Sequence, residues 1–165
     1  MCVTTGLTKN CTIKRTGGSS GLWIANRTDV DTIVQDPTGE VTTVNMVSAA
    51  VFYKVEFSSN QSNFNETTGE TGEVIQQYTF VSDSRYQEQR NFIQSLIGCG
   101  CGFVVIHREN TGKTWFWGFE EGEEANLFSN VGDSGTAKAD PNQETVILQA
   151  SATIKANEFT GTIPV

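Results

Sequence analysis

Two stretches decide the fold: Ala49-Ala-Val-Phe-Tyr-Lys-Val-Glu-Phe57 and, beyond a polar interval, Val74-Ile-Gln-Gln-Tyr-Thr-Phe-Val81. In the first, Val51, Tyr53, Val55 and Phe57 fall on one side, and Phe52, Lys54 and Glu56 on the other. In the second, Val74, Tyr78 and Phe80 share a face. Alternation at period two marks a strand with one buried face. The interval from Ser58 to Gly72 is polar and carries glycine, so the two stretches read as the arms of one long hairpin over Ala49–Val81. Its connection is longer than a tight turn needs, and long loops in compact domains usually carry function or mobility.

The chain on either side continues the β pattern. Leu22–Ala25, Asp31–Val34 and Val41–Met46 read as short strands, with Asp36-Pro-Thr-Gly39 as a type I turn. Gly102–Ile106 is a continuous apolar run, the mark of a central strand. Asn110-Thr-Gly-Lys113 makes a hairpin turn into Thr114–Phe119, with Trp115, Trp117 and Phe119 on one face. Gly132–Gly135 and Asp140–Asn142 bracket a connection. Thr145–Lys155 is a last long strand with Val146, Leu148, Ala150, Ala152 and Ile154 inward, and Glu158–Val165 is an edge segment or a second arm. One stretch reads as a helix, about 84–97. Ser84 and Gln87 have capping-box spacing, Tyr86, Phe92, Ile93, Leu96 and Ile97 form its apolar stripe, and Gly98 ends it. The expected fold is mainly β, a β-sandwich or barrel-like domain with a long hairpin and one flanking helix. Residues 1–21, ending in Gly17-Gly-Ser-Ser-Gly21, read as a flexible arm, and 22–165 as one domain.

Composition fits this. The chain has 165 residues, enough for one domain with a real core. Ten Phe, three Trp and three Tyr supply bulky apolar surface. The net charge of -8 disfavours a nucleic-acid grip, which rests on Lys and Arg neutralising phosphates. It does not disfavour a protein that lets nucleic acid pass without sticking. No apolar stretch approaches the roughly 18 residues of a membrane span. Met1–Gly6 has no basic cap before an apolar core, so no secretory signal and a cytoplasmic setting are expected. Of the cysteines, Cys2, Cys11, Cys99 and Cys101, the last two are one residue apart, where a disulfide is strained. Reduced, partly buried thiols are expected.

The residues offer little chemistry, and no catalytic, cofactor-binding or metal-binding residue is assigned. The one histidine, His107, leaves little room for a nucleophile–histidine pair and reads as a surface or strand-end residue. Gly17–Gly21 is followed by neither Lys-Ser/Thr nor a helix, so it is no P-loop. Glu120, Glu121, Glu123 and Glu124 lack the alternating ligands of a calcium loop and read as a solvated acidic turn, with a repulsive wall as their functional version. A paired-acid hydrolase would need two carboxyls across a cleft. Trp115, Trp117 and Phe119 read as core, or else as a sugar-stacking platform. The sequons at Asn10, Asn26, Asn60 and Asn65 are expected by chance in so Asn- and Thr-rich a chain.

Tyr53-Lys-Val-Glu-Phe57, Phe64-Asn-Glu66, Glu73–Phe80, the Asn110-Thr-Gly-Lys113 hairpin and Trp117-Gly118 occur in the order strands, long hairpin, helix, strands. In this the chain, over about residues 22–157, resembles tube-forming proteins of phage tails and related injection systems. The resemblance implies a non-enzymatic virion protein, assembled in the host cytoplasm. Its subunits would form rings, hexameric in that family, that stack into a tail tube beside other virion proteins. The hairpin would line a channel, and Ser58–Gly72 would make ring-to-ring contacts. The channel would pass DNA without binding it, with an acidic wall repelling phosphates over a Debye length of roughly 8 Å. No cofactor and no membrane are involved. A capsid decoration or tail-completion protein, and a monomeric carbohydrate-binding β-sandwich, are the alternative readings.

Overall fold

The computed structural model describes residues 6, 18–58, 61–82 and 85–165. The fold is mainly β, built of antiparallel sheets without a closed barrel. Strands β1 (Ser19–Asn26), β4 (Tyr53–Val55), β7 (Phe103–Glu109), β8 (Thr114–Trp117) and β11 (Asn157–Glu158) form a five-stranded sheet, ordered β11-β8-β7-β1-β4. Strands β5 (Ser62–Thr68), β6 (Val74–Ser82), β9 (Asn126–Asp133) and β10 (Gln143–Ala152) form a four-stranded sheet, ordered β5-β6-β10-β9. Strands β2 (Val30–Gln35) and β3 (Val41–Met46) make a two-stranded ribbon.

The five-stranded sheet is the middle layer. Phe103 and Val105 of β7 point into a core shared with Tyr78, Phe80, Val146 and Leu148 of the four-stranded sheet. Val104 and Ile106 point the other way, into a second core with Val30, Val41 and Val44 of the ribbon. This double burial is why β7 is a continuous apolar run instead of an alternating one. Strands that face only one core alternate, as β10 does from Glu144 to Ala152.

The hairpin differs from the expected one. Ala49–Phe57 supplies only the three-residue β4, which pairs with β1 in the middle sheet, Leu22 opposite Val55. The partner of β6 is β5, drawn from the polar interval, with Phe64 opposite Tyr78 and Thr68 opposite Val74. The turn is therefore short, Gly69–Glu73, closed by the Gly69 N–H to the Glu73 carbonyl at 2.8 Å. Ser62–Thr68 hides its strand character because only Phe64 is a bulky apolar residue. Its strand pairing rests on backbone hydrogen bonds, which Asn and Thr supply as well as Val does.

Other expectations shift locally. The Gly/Ser connector does not reach Gly21, because Ser19–Gly21 already belong to β1 and pair with Glu109 and Arg108. The rest of the expected arm lies outside the described residues, apart from Gly6 and Gly18. The expected cap Ser84 also lies outside them. The helix α1 (Gln87–Ile97) instead takes Tyr86 as N-cap, and the Gln89 side chain accepts the Tyr86 N–H at 3.0 Å. Its inward stripe is Phe92, Ile93 and Leu96, and Tyr86 and Ile97 are 70% and 57% exposed. Gly98 ends the helix in a right-handed conformation, φ -76°. β10 stops at Ala152, which leaves Ile154 exposed. The tail is an edge segment: β11 pairs with β8, Phe159 is buried in the second core, and the Pro164 carbonyl accepts the Phe52 N–H at 2.7 Å.

Trp115 and Trp117 follow the expected alternation, but Phe119 does not. Gly118, at φ +73°, turns the chain over. Trp117 then sits in the first core, and Phe119 stacks on Phe116 in the second, centroids 4.8 Å apart. Asp36–Gly39 is the expected turn: the Asp36 carboxylate accepts from the Thr38 hydroxyl and from the Thr38 and Glu40 N–H groups. Chiefly the Thr38 hydroxyl bond holds that carboxyl below its usual range.

Candidate functional site

His107 is not a surface residue. It is fully buried on the face of β7 that looks toward the four-stranded sheet. The Trp117 indole N–H donates to its Nδ1 at 3.1 Å. A neutral imidazole that accepts at Nδ1 carries its proton on Nε2. That N–H is buried and has no protein partner among the described residues. Phe64 lies 4.2 Å and Tyr78 5.3 Å from the imidazole, ring centre to ring centre. Burial holds the His107 pKa down at about 3. The Tyr78 hydroxyl faces the Ser19 and Ser62 hydroxyls without hydrogen-bonding geometry, and burial pushes its pKa well up. Neither serine is primed by the histidine. Ser19 Oγ donates to the Arg108 carbonyl at 2.7 Å, and Ser62 Oγ accepts from the Ser19 N–H at 3.1 Å.

The acidic turn joins β8 to β9. Glu124 accepts from the Gly122 N–H at 3.0 Å, and Glu123 accepts from the Thr153 N–H at 3.0 Å. These two carboxylates hold backbone, whereas Glu120 and Glu121 face solvent. Glu121 and Glu124 line an open groove of about 460 Å³ with Arg27 and Cys101. Among the described residues no three ligating side chains converge as a metal site would need. Cys99 and Cys101 are unbridged, the first buried with its Sγ 3.4 Å from the Gly102 carbonyl, the second exposed. Cys2 and Cys11, and the sequons at Asn10 and Asn60, lie outside the described residues. Asn26 is buried and Asn65 is exposed. The Trp platform is absent as such, because Trp117 is 1% exposed and Trp115 is half-buried.

Two buried polar groups escaped the sequence reading. Glu144, 4% exposed, accepts from Arg85 Nε at 3.1 Å and from Asn130 Nδ2 at 3.1 Å, with Arg90 at 3.7 Å. Gln76, 1% exposed, donates to Glu66 Oε1 and to the Ile154 carbonyl, both at 3.2 Å. Glu66 also accepts the Ala156 N–H at 2.6 Å, pinning the chain where it leaves the four-stranded sheet. The signal was parity. Glu144 is two residues from inward Val146, and Gln76 stands between inward Val74 and Tyr78.

The four-stranded sheet leaves surfaces open. β5 and β9 are its edges, each paired on one side only among the described residues. Phe128 and Val131 of β9 are both 60% exposed, Phe128 at the bulge in the β9–β10 register. On the face turned away from the core, one cross-strand row runs Asn63–Thr79–Ile147–Ser129 and the next Asn65–Gln77–Gln149–Asn126. These rows contain no charged residue. Glu73 and Asp133 stand only at the ends of the face.

No family model, no curated protein and no solved structure matches the chain.

Proposed function

We propose that the chain is a structural virion subunit that self-assembles into rings stacked as a tail tube. The observation that carries the reading is the four-stranded sheet, whose two edges are unpaired among the described residues, one of them bearing exposed Phe128 and Val131. An edge strand of this kind is a template for pairing with another chain, and a soluble monomer ordinarily blunts it with charge, proline, a bulge or a cover; β9 has its bulge at Phe128 and α1 beside it, yet keeps Phe128 and Val131 exposed. In β9 the only charge is the terminal Asp133.

Joining β9 of one copy to β5 of the next extends the sheet around a ring. Each copy's own middle sheet occupies the core-side face, so the uncharged face turns to the channel. The wall is then mostly amide and hydroxyl, broken by aliphatic residues such as Ile147, with Glu73 and Asp133 at its ends. In this reading the net-negative wall carries its charge at the two ends of the face and not along it. Duplex DNA meets no cation on the wall, and cations are what would hold its phosphates. The hairpin that lines the channel is β5–β6, and its Gly69–Glu73 turn reaches toward the next ring. No catalytic step, metal or cofactor belongs to this reading.

Electron microscopy of the purified protein tests it. Rings or tubes are expected, and a Phe128→Asp, Val131→Asp variant that folds but stays monomeric is expected beside them. A wild-type chain that stays monomeric at high concentration would sink the reading.

A further inference from the structure

Charge is divided unevenly along the chain. Residues 1–17 hold Lys9, Lys14 and Arg15 and no Asp or Glu, a charge of +3 in a chain of -8, which leaves -11 on the rest. Gly6 and Gly18 mark where this region meets the domain. A Cβ on Gly6 would overlap the Lys54 carbonyl oxygen, so Gly6 lies against the backbone of β4. The Gly18 carbonyl accepts the Asn110 N–H at 3.2 Å, and a Cβ on Gly18 would stand 2.9 Å from the Ser62 carbonyl oxygen. Lys14 and Arg15 are therefore tethered at the end of the sandwich where β1 and β5 begin and β7 finishes.

A surface of opposite charge lies at the other end. The acidic turn after β8 meets the finish of β1 and the start of β7. There the Arg27 N–H donates to the Gly102 carbonyl at 3.2 Å, and a Cβ on Gly102 would overlap that of Glu124. The β5–β6 turn comes to the same end. Glu73 accepts from the Ser151 hydroxyl, and two residues on the Thr153 N–H donates to Glu123. Glu70, Glu73, Glu120 and Glu121 are exposed there, against exposed Lys155 and half-buried Arg27.

The tether decides whose carboxylates the two cations meet. From Ser19 to Asn26, β1 covers about 23 Å at 3.3 Å a residue. The backbone from Gly18 to Lys14 spans at most about 14 Å, and the side chain does not make up the rest. Neither cation reaches the far end of its own chain. Glu109, opposite Ser19, is within reach, but it offers one half-buried carboxylate to two cations.

We infer that Lys14 and Arg15 of one copy dock on Glu70, Glu73, Glu120 and Glu121 of a second copy, end to end. Opposite charges at the two ends fix which end faces which. A head-to-tail contact of this kind does not close on itself, so it repeats along a stack. The inference rests on the ring reading, to which it adds the stacking contact and its polarity.

Electron microscopy of the full chain and three variants tests it. Lys14→Glu with Arg15→Glu reverses one side, Glu120→Lys with Glu121→Lys reverses the other, and the third variant carries all four changes. Glu120 and Glu121 are exposed and Lys14 and Arg15 precede β1, so each variant should keep the wild-type unfolding transition. The wild type should form tubes at about 0.1 M salt and single rings at about 1 M, where screening acts within about 3 Å. At the lower salt each two-residue reversal should give single rings, and the four-residue reversal should restore tubes. Tubes from either two-residue variant, or no restoration by the third, overturn the inference and leave the ring reading standing. Wild-type rings that never stack do the same. A wild type that stays monomeric sinks both.

Discussion

His107 shows what burial does to one titratable group. Its folded pKa of about 3 lies below the 6.5 of an exposed histidine. Between those values the unfolded chain binds the proton and the folded chain does not. Stability attributable to this residue is therefore intact above pH 6.5 and is lost as pH falls toward 3, by about 5 kcal/mol in total. Comparing urea unfolding of wild type and His107→Gln from pH 7 to pH 4 isolates it: the wild type should lose more stability over that range. Equal losses would mean that the imidazole is already charged in the fold. Gly118 acts through its backbone. Its φ is +73°, and a Cβ there would stand 2.9 Å from the Ala125 nitrogen and 3.1 Å from the Phe103 carbonyl oxygen. Gly118→Ala should cost about 2 kcal/mol or more, read as a lowered denaturation midpoint. At this scale the sequence was misleading in one way. His107 was read from its charged neighbours Arg108 and Glu109, yet its burial is set by which face of β7 it occupies.

Among the elements, α1 is held to the sheet by both kinds of contact. Phe92, Ile93 and Leu96 bury its stripe, and Glu144 of β10 draws in Arg85 and Arg90 from the chain at its start and within its first turns. Both arginines keep solvent contact, so the pair is worth less than a fully buried one. Glu144→Gln should cost about 2 kcal/mol and speed amide exchange in α1 before the sheets. Exchange that rises uniformly across the molecule would mean that Glu144 supports the sheet and not the helix. The helix was legible because its apolar spacing is periodic over three turns. β5 was not, because an edge strand with one bulky apolar residue in seven has almost no periodicity to read.

At the level of the whole molecule, the second core depends on the end of the chain. Phe159 is 4% exposed, lies near Phe116, and bridges to Val41 of the ribbon. Phe159→Ala should destabilise by about 3 kcal/mol or more through the cavity it leaves, measured by chemical unfolding. A change within a few tenths of a kcal/mol would show that the ribbon packs without the tail. The same three-layer arrangement bears on the assembly reading. Both faces of the middle sheet are covered, whereas the four-stranded sheet keeps one face free beside its two edges.

The sequence by itself determined the class of fold, the central place of β7, the Asp36–Gly39 and Asn110–Lys113 turns and the existence of α1. Each is local: alternation, an unbroken apolar run or a turn residue is visible within a few neighbours. Tertiary structure alone decided which strands pair. β4 left its apparent hairpin for β1, and β6 took a polar partner, because pairing is settled by backbone hydrogen bonds and by which face each strand must bury. It also decided where charge and polarity end up. Glu144 and His107 went inside, where partners or neutrality compensate for lost water, and the middle of one sheet face was left uncharged on a chain of net charge -8. Such placements depend on residues distant in sequence, which no local pattern records.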